Sequence, residues 1–334
     1  MVDAVVLSGS GYAGAEVLRL LADHPQLRVV ATTAHSAAGK PVRSVHPHLP
    51  YDLVFTAIDD LLLPGDAPVA IFGCGAHGAS ARDTAHAIAL ASDRPTKVVD
   101  LSADFRHDAA TFEALYGVVH PAPELLERVT CAPPDLQPGR ADIACQPGCF
   151  TTAVALAVAP LVRSGLVDTA AQVSAITGST GSGRHPKAGT HHPVRHGNLW
   201  GYSPLAHRHV PEMERLTGAT IAFVPHSGPF ARGIEATCFL RRTHGSESDL
   251  RDALHAFYDG SPFVHVQDTP PKLSDVVGTN RCHLGLVQQG DQVVVCSVID
   301  NLIKGAAGGA VQWMNRLHGW PDPTGLTAGP LPWS

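Results

Sequence analysis

A short apolar run, Ala4-Val5-Val6-Leu7, leads directly into Gly9-Ser10-Gly11-Tyr12-Ala13-Gly14 and then into residues 15 to 22. An unbroken apolar run of this length suits a parallel strand buried on both faces. Val17, Leu18, Leu20 and Leu21 suit a packed helix. Glycines spaced G-x-G-x-x-G between such a strand and such a helix let the chain turn tightly and approach a pyrophosphate, which the helix N-terminus attracts. The stretch predicts a βαβ unit that opens a parallel sheet and binds a dinucleotide through Gly9, Ser10, Gly11, Tyr12, Ala13 and Gly14. A chance glycine turn is the competing reading.

Further along, Leu27 to Ala31 reads as the second strand. An acidic residue for a ribose 2′-hydroxyl often lies about 20 residues past such a fingerprint. Here Thr32-Thr33-Ala34-His35-Ser36-Ala37-Ala38-Gly39-Lys40 holds no carboxylate. The hydroxyl of Ser36, a histidine and Lys40 can host a 2′-phosphate, which points to NADP(H). Lys40 also fits a solvated loop lysine. Val69 to Phe72 is a third strand, ending at Gly73-Cys74-Gly75-Ala76-His77-Gly78, where His77 fits either a cofactor-facing role or a plain loop. A helix over 80–91 and a strand over 97–101 follow, the latter running into Ser102-Ala103-Asp104-Phe105-Arg106. Strands alternating with helices indicate a doubly wound α/β sheet. Residues 107 to 145 read as an irregular, Pro-rich connection (Pro121, Pro123, Pro133, Pro134, Pro138).

Gln146-Pro147-Gly148-Cys149 then precedes an apolar run from Ala153 to Leu161 that suits a buried helix. A thiol at a helix start sits at the positive end of the macrodipole, among unpaired N–H groups, and such a setting favours a reactive thiolate. The same residue fits a small buried core position. Gln172 to Thr177 reads as a strand leading into Gly178 to Arg184, a loop rich in glycine and hydroxyls that can bring N–H groups to an anion. The run from His185 to His196, with Lys187, His191, His192 and Arg195, would suit an anionic partner. A metal reading lacks carboxylates or cysteines to complete a ligand set.

His207-Arg208-His209-Val210-Pro211-Glu212 is a second chemical centre. Met213 and Leu216 suggest that a helix starts here, which makes His209 and Glu212 neighbours three apart. Glu212 could then orient an imidazole, and a distant histidine could serve Cys149 as base. A surface His-Arg-His turn paired with Glu212 fits as well. Beyond it, 220–224, 235–241 and 292–299 read as strands of an antiparallel sheet packed with helices, and a small-residue helix runs from Asp300 through Trp313 and Leu317.

Composition narrows the class. The 334 residues, 44% apolar and 16% charged, allow two domains with sizeable cores. A net charge of −6 gives no electrostatic reason to expect nucleic acid. Seven cysteines, odd in number and scattered, form no disulfide framework or zinc pattern. No apolar stretch reaches the roughly 18 residues of a membrane helix. Residues 1 to 8 run straight into a strand pattern, so a cytoplasmic location is expected.

Taken in order, the motifs Gly9 to Gly14, Leu101 to Arg106, Pro147-Gly148-Cys149, Gly178 to Arg184, His207 to Glu212 and Asp300 to Ala306 resemble the N-acetyl-γ-glutamyl-phosphate reductase family, within the aspartate-semialdehyde dehydrogenase superfamily. The resemblance implies a Rossmann domain of residues 1–148 and 301–334, and a catalytic and dimerisation domain of the α+β type over 149–300. It implies Cys149 as the nucleophile that forms a thioacyl-enzyme, His209 as general acid/base with His207 nearby and Glu212 orienting, and Asn301 by the nicotinamide. It places Gly181 among the cofactor contacts, and Arg106, Arg184 and His192 at the substrate. It implies a homodimer or homotetramer. Residues 190 to 204 look more like a lysine-biosynthesis branch, whose substrate is held on an acidic amino-group carrier protein. A nucleotide-sensing regulator without chemistry is the alternative from another class.

Overall fold

The computed structural model describes residues 1–137 and 142–330. Pro138 and the end of the expected C-terminal segment, 331–334, lie outside the described residues. In chain order the strands are β1 (Val2–Leu7), β2 (Leu27–Thr32), β3 (Val69–Gly73), β4 (Thr96–Asp100), β5 (Val129–Cys131), β6 (Ile143–Cys145), β7 (Ala170–Thr177), β8 (Trp200–Gly201), β9 (Thr220–Ser227), β10 (Ile234–Arg241), β11 (Val264–Gln267), β12 (Cys282–Gln289) and β13 (Gln292–Ile299). The helices are α1 (Tyr12–Ala22), α2 (Val42–Val45), α3 (Ser80–Leu90), α4 (Ala109–Tyr116), α5 (Cys149–Ser164), α6 (His192–Arg195), α7 (Val210–Thr217), α8 (Glu247–Phe257) and α9 (Gly308–Leu317).

Two compact units result: residues 1–134, 142–147 and 306–327, and residues 135–137, 148–305 and 328–330. The sequence reading assigned everything from 301 onward to the first unit. Residues 301–305 cluster with the second instead. Within it, Asn301 bonds Gly233 and Thr180, and Lys304 bonds Asp135.

In the first unit, six parallel strands run in the order β2-β1-β3-β4-β6-β5. Every residue of β1 and β3 is buried, as continuous apolar strands between helical layers require. The order reverses beside β1, and ligands of such sheets bind at the carboxyl ends of the strands flanking that switch point. Gly9 to Gly14 follows β1, and Gly73 to Gly78 follows β3. Helix α9 closes the unit, and the Trp313 indole N–H donates to the Ala132 carbonyl at 2.8 Å. Its small residues allow a close approach: a Cβ on Gly309 would lie 2.4 Å from the Gln146 amide oxygen.

The 107–145 connection is more ordered than its proline content suggests. It holds α4, β5 and β6. Two three-residue strands are too short for periodicity to reveal, and α4 is set by its caps: Asp108 accepts from the Thr111 N–H and Gly117 ends it at φ 70°.

The second unit is a seven-stranded sheet ordered β11-β12-β13-β10-β7-β9-β8. It is mixed, not purely antiparallel, because β7 pairs β9 and β11 pairs β12 in parallel. Helix α5, buried from Phe150 to Leu161, packs against β7, β10 and β13. No helix of the described residues is long and apolar enough to cross a membrane.

Candidate active site

Cys149 is the first residue of α5, with Gly148 as N-cap. It is the one half-exposed residue before an unbroken buried run of twelve. No side chain caps this helix start, and the first N–H groups of a helix have no acceptor within the helix itself. Two glycines hold the sulfur-bearing residue in place. A Cβ on Gly305 would sit 2.7 Å from the Cys149 Cβ, and one on Gly148 would sit 2.4 Å from His209 Cε1 and 2.6 Å from His209 Nε2. The imidazole thus meets Gly148, which adjoins Cys149, at its Cε1 corner, with Nδ1, 2.7 Å from the same added Cβ, about as near as Nε2.

His209 is buried and is the N-cap of α7. Its ring lies 6.3 Å from the ring of Phe150 and 4.7 Å from that of His207. His207 accepts the His209 backbone N–H at Nδ1, at 3.2 Å, so its neutral ring carries the proton on Nε2. Burial, reinforced by the Arg208 charge, pushes the His207 pKa down to about 4. His207 is therefore an uncharged donor at neutral pH and a poor base. Glu212, fully buried in the first turn of α7, accepts the Gly148 N–H at 3.2 Å and the Thr151 hydroxyl at 2.7 Å. The carboxylate expected to orient an imidazole is fastened to the start of α5.

Asn301 is buried, with Oδ1 accepting the Gly233 N–H at 2.7 Å and Nδ2 donating to Thr180 Oγ1 at 3.0 Å. It ties the loop holding Gly181 to the turn before β10. Beside it, Asp300 accepts from Arg232, Gly278, Leu302 and Ile303. Asp300 heads a motif already noted in the sequence, but no hub role was legible there, since its partners are spread from 232 to 303. A π-type turn over 303–307 follows, closed by the Gly305 N–H to the Asp300 carbonyl at 3.0 Å. Lys304, buried, pairs with Asp135 at 2.5 Å.

Of the expected substrate residues, Arg184 and His192 are exposed, and the His192 ring lies 5.1 Å from that of His196. Arg106 is buried in the first unit, where it donates to the Leu101 carbonyl at 2.8 Å.

The first unit fits a dinucleotide. Gly11 caps α1 without a side-chain bond, and a Cβ there would find only Ser8 O at 4.0 Å, leaving the helix start open. Gly14 is packed on Gly9, its added Cβ falling 2.6 Å from Gly9 Cα. His46, which the sequence did not single out, meets the Gly9 carbonyl at 3.1 Å through Nε2. Ser36 and Lys40 are exposed on the loop after β2.

Residues 4–130 match the family model for the NAD binding domain of semialdehyde dehydrogenase, and residues 149–301 match that of its dimerisation domain. The chain is 40% identical to N-acetyl-γ-glutamyl-phosphate reductase of Methanopyrus kandleri, over 98% of each chain. It is 38% identical to the enzyme of the same name from Pseudomonas fluorescens strain SBW25, over 99% of this chain and all of the relative. The chain belongs to the N-acetyl-γ-glutamyl-phosphate reductase family. The fold of this family member also resembles that of aspartate semialdehyde dehydrogenase II from Vibrio cholerae, with a TM-score of 0.72 at 13% identity, covering 96% of this chain and 98% of that one.

Proposed function

We propose that this chain reduces N-acetyl-γ-glutamyl phosphate to N-acetylglutamate semialdehyde and phosphate, with NADPH, through a thioester on Cys149. The observation that carries the reading is Cys149 at the open start of α5, with His209 against Gly148. The Cys149 thiolate attacks the acyl carbon, the C–S bond forms, and phosphate leaves with the electrons of the C–O bond. Gly9 to Gly14 would hold NADPH, with Ser36 and Lys40 at its 2′-phosphate, and the bound cofactor would supply hydride for the thioester carbon. First-turn N–H groups of α5 stabilise the oxyanion, an effect typically of about 3–4 kcal/mol per donor. His209 protonates that oxygen and then removes the proton as the C–S bond breaks, which restores the thiolate and releases the aldehyde. His207, neutral, serves as a hydrogen-bond donor rather than the base. Asn301 holds the Gly181 loop by the nicotinamide, Arg106 and Arg184 meet substrate anions, and His192 lines the approach. A thioester accepts hydride far more readily than a carboxylate, which is the reason for a covalent step.

Assembly as a homodimer or homotetramer through the second unit belongs to the same reading and is supported by its dimerisation-domain match. So does a cytoplasmic location, supported by seven free thiols. The carrier-linked substrate has one feature in its favour, the basic segment 184–196, mostly exposed apart from the buried Arg195. The relatives' names favour the free N-acetylated substrate.

The test is phosphate-dependent NADP⁺ reduction with N-acetylglutamate semialdehyde, run beside a carrier-linked semialdehyde. Cys149→Ser should abolish turnover with either. Full turnover in that variant would refute the thioester route.

A further inference from the structure

Between residues 181 and 206 every side chain is exposed or half-exposed but one, and that one is charged: Arg195, at 7% exposure. It ends α6 and reaches the paired ends of two parallel strands, where Thr177 of β7 stands opposite Ser227 of β9. Nη1 donates to Ser227 Oγ at 2.7 Å, whereas Nη2 has only a long 3.4 Å contact to the Thr177 carbonyl. Nε is buried and has no acceptor. The guanidinium lies 5.7 Å from the Trp200 ring centroid. No carboxylate among the described residues comes within ion-pair distance of it.

A buried guanidinium without a counter-anion is unfavourable, and a cation–π contact offsets only part of that cost. Desolvation lowers its pKa, although the group is covered by a thin layer rather than lying deep. The edge left over is the side-on pair, Nε–H with Nη2–H, which matches two oxygens of a carboxylate or phosphate. The position is also right. Two residues past Trp200, the ring of Tyr202 lies 5.8 Å from that of His207, which lies 4.7 Å from that of His209. Burial pushes the Tyr202 pKa up and keeps its phenol neutral. It cannot be the missing anion.

Resting on the function proposed above, we infer that Arg195 is a further anion anchor for the substrate, beyond Arg106 and Arg184: its Nε/Nη2 edge pairs with a carboxylate or phosphate group of the molecule whose acyl carbon meets Cys149. Arg184 and His192, in the same cationic stretch, remain in solvent and do not have this geometry.

The test uses the full-length enzyme, with N-acetylglutamate semialdehyde, its α-carboxamide analogue and inorganic phosphate as probes. Arg195→Gln should raise one KM by about 10- to 100-fold, the usual worth of a hydrogen bond to a charged group, and leave kcat far less changed. If the carboxylate is the partner, KM for the semialdehyde rises, KM for the carboxamide stays put and KM for phosphate is unaffected. If phosphate is the partner, only its KM rises. Arg195→Lys keeps the charge without the fork, and should fall between wild type and Gln. It carries the comparison if the Gln variant does not fold. Equal losses with carboxylate and carboxamide and an unchanged phosphate KM would mean a structural brace and overturn the inference, as would no change at all. Wild-type enzyme that shows no phosphate-dependent NADP⁺ reduction would sink the function itself, a result distinct from losses confined to Arg195 variants.

Discussion

The Glu212 carboxylate receives the backbone N–H of Gly148, with both oxygens 3.2 Å away, although 64 residues separate the two in sequence. Through this contact and the Thr151 hydroxyl, α7 grips the first turn of α5. Glu212, in the first turn of the helix that His209 caps, is thus tied to the residue that precedes Cys149.

Loss of that grip has a measurable cost. Glu212→Gln keeps the shape and removes the charge, and should reduce stability by about 2 kcal/mol, in the range for hydrogen bonds to charged groups. Because the residue acts through Gly148 and Cys149, kcat should fall while KM for the semialdehyde changes little. Urea unfolding together with steady-state kinetics checks both. Unchanged kcat would assign Glu212 to stability alone.

Gly305 leaves no room beside the nucleophile. An added methyl would meet Cys149 Cβ at 2.7 Å and Cα at 3.0 Å. Backbone or the start of α5 must shift, and overpacking of this kind typically costs about 1–3 kcal/mol. Gly305→Ala should slow alkylation of Cys149 by iodoacetamide and lower kcat/KM by about 10²-fold, as misplacements near 1 Å do. Wild-type alkylation and turnover would contradict the tight approach.

Acid should weaken the fold through His207. Its pKa falls from 6.5 to about 4 on burial, so the unfolded chain binds the proton first. Between those values stability rises with pH; this contribution is fully present above 6.5 and lost as pH falls through about 4. His207→Gln, whose amide oxygen can still accept the His209 N–H, should flatten that part of a stability-versus-pH curve. An unaltered slope would show that other groups carry it.

Much of this was legible beforehand, and the gaps have a common cause. Apolar runs, unbroken in β1 and β3, revealed those strands and β10 and β13, and Pro-Gly before an apolar stretch revealed the start of α5. The Glu212 to Gly148 and Asn301 to Thr180 contacts join residues 64 and 121 apart, which no local spacing encodes. Strands β5 and β6 were hidden by their three-residue length. Arg195 was hidden among cations because an irregular loop gives no period from which burial can be read.

Acyl transfer to Cys149 is the claim on which the rest depends. Peptide mass spectrometry of enzyme mixed with N-acetyl-γ-glutamyl phosphate, with no nicotinamide added, tests it most directly. The predicted result is an N-acetylglutamyl adduct on the peptide holding Cys149, absent from Cys149→Ser and discharged as aldehyde when NADPH is added. Turnover of normal size with no adduct on that peptide, or an adduct on another cysteine, would contradict the account.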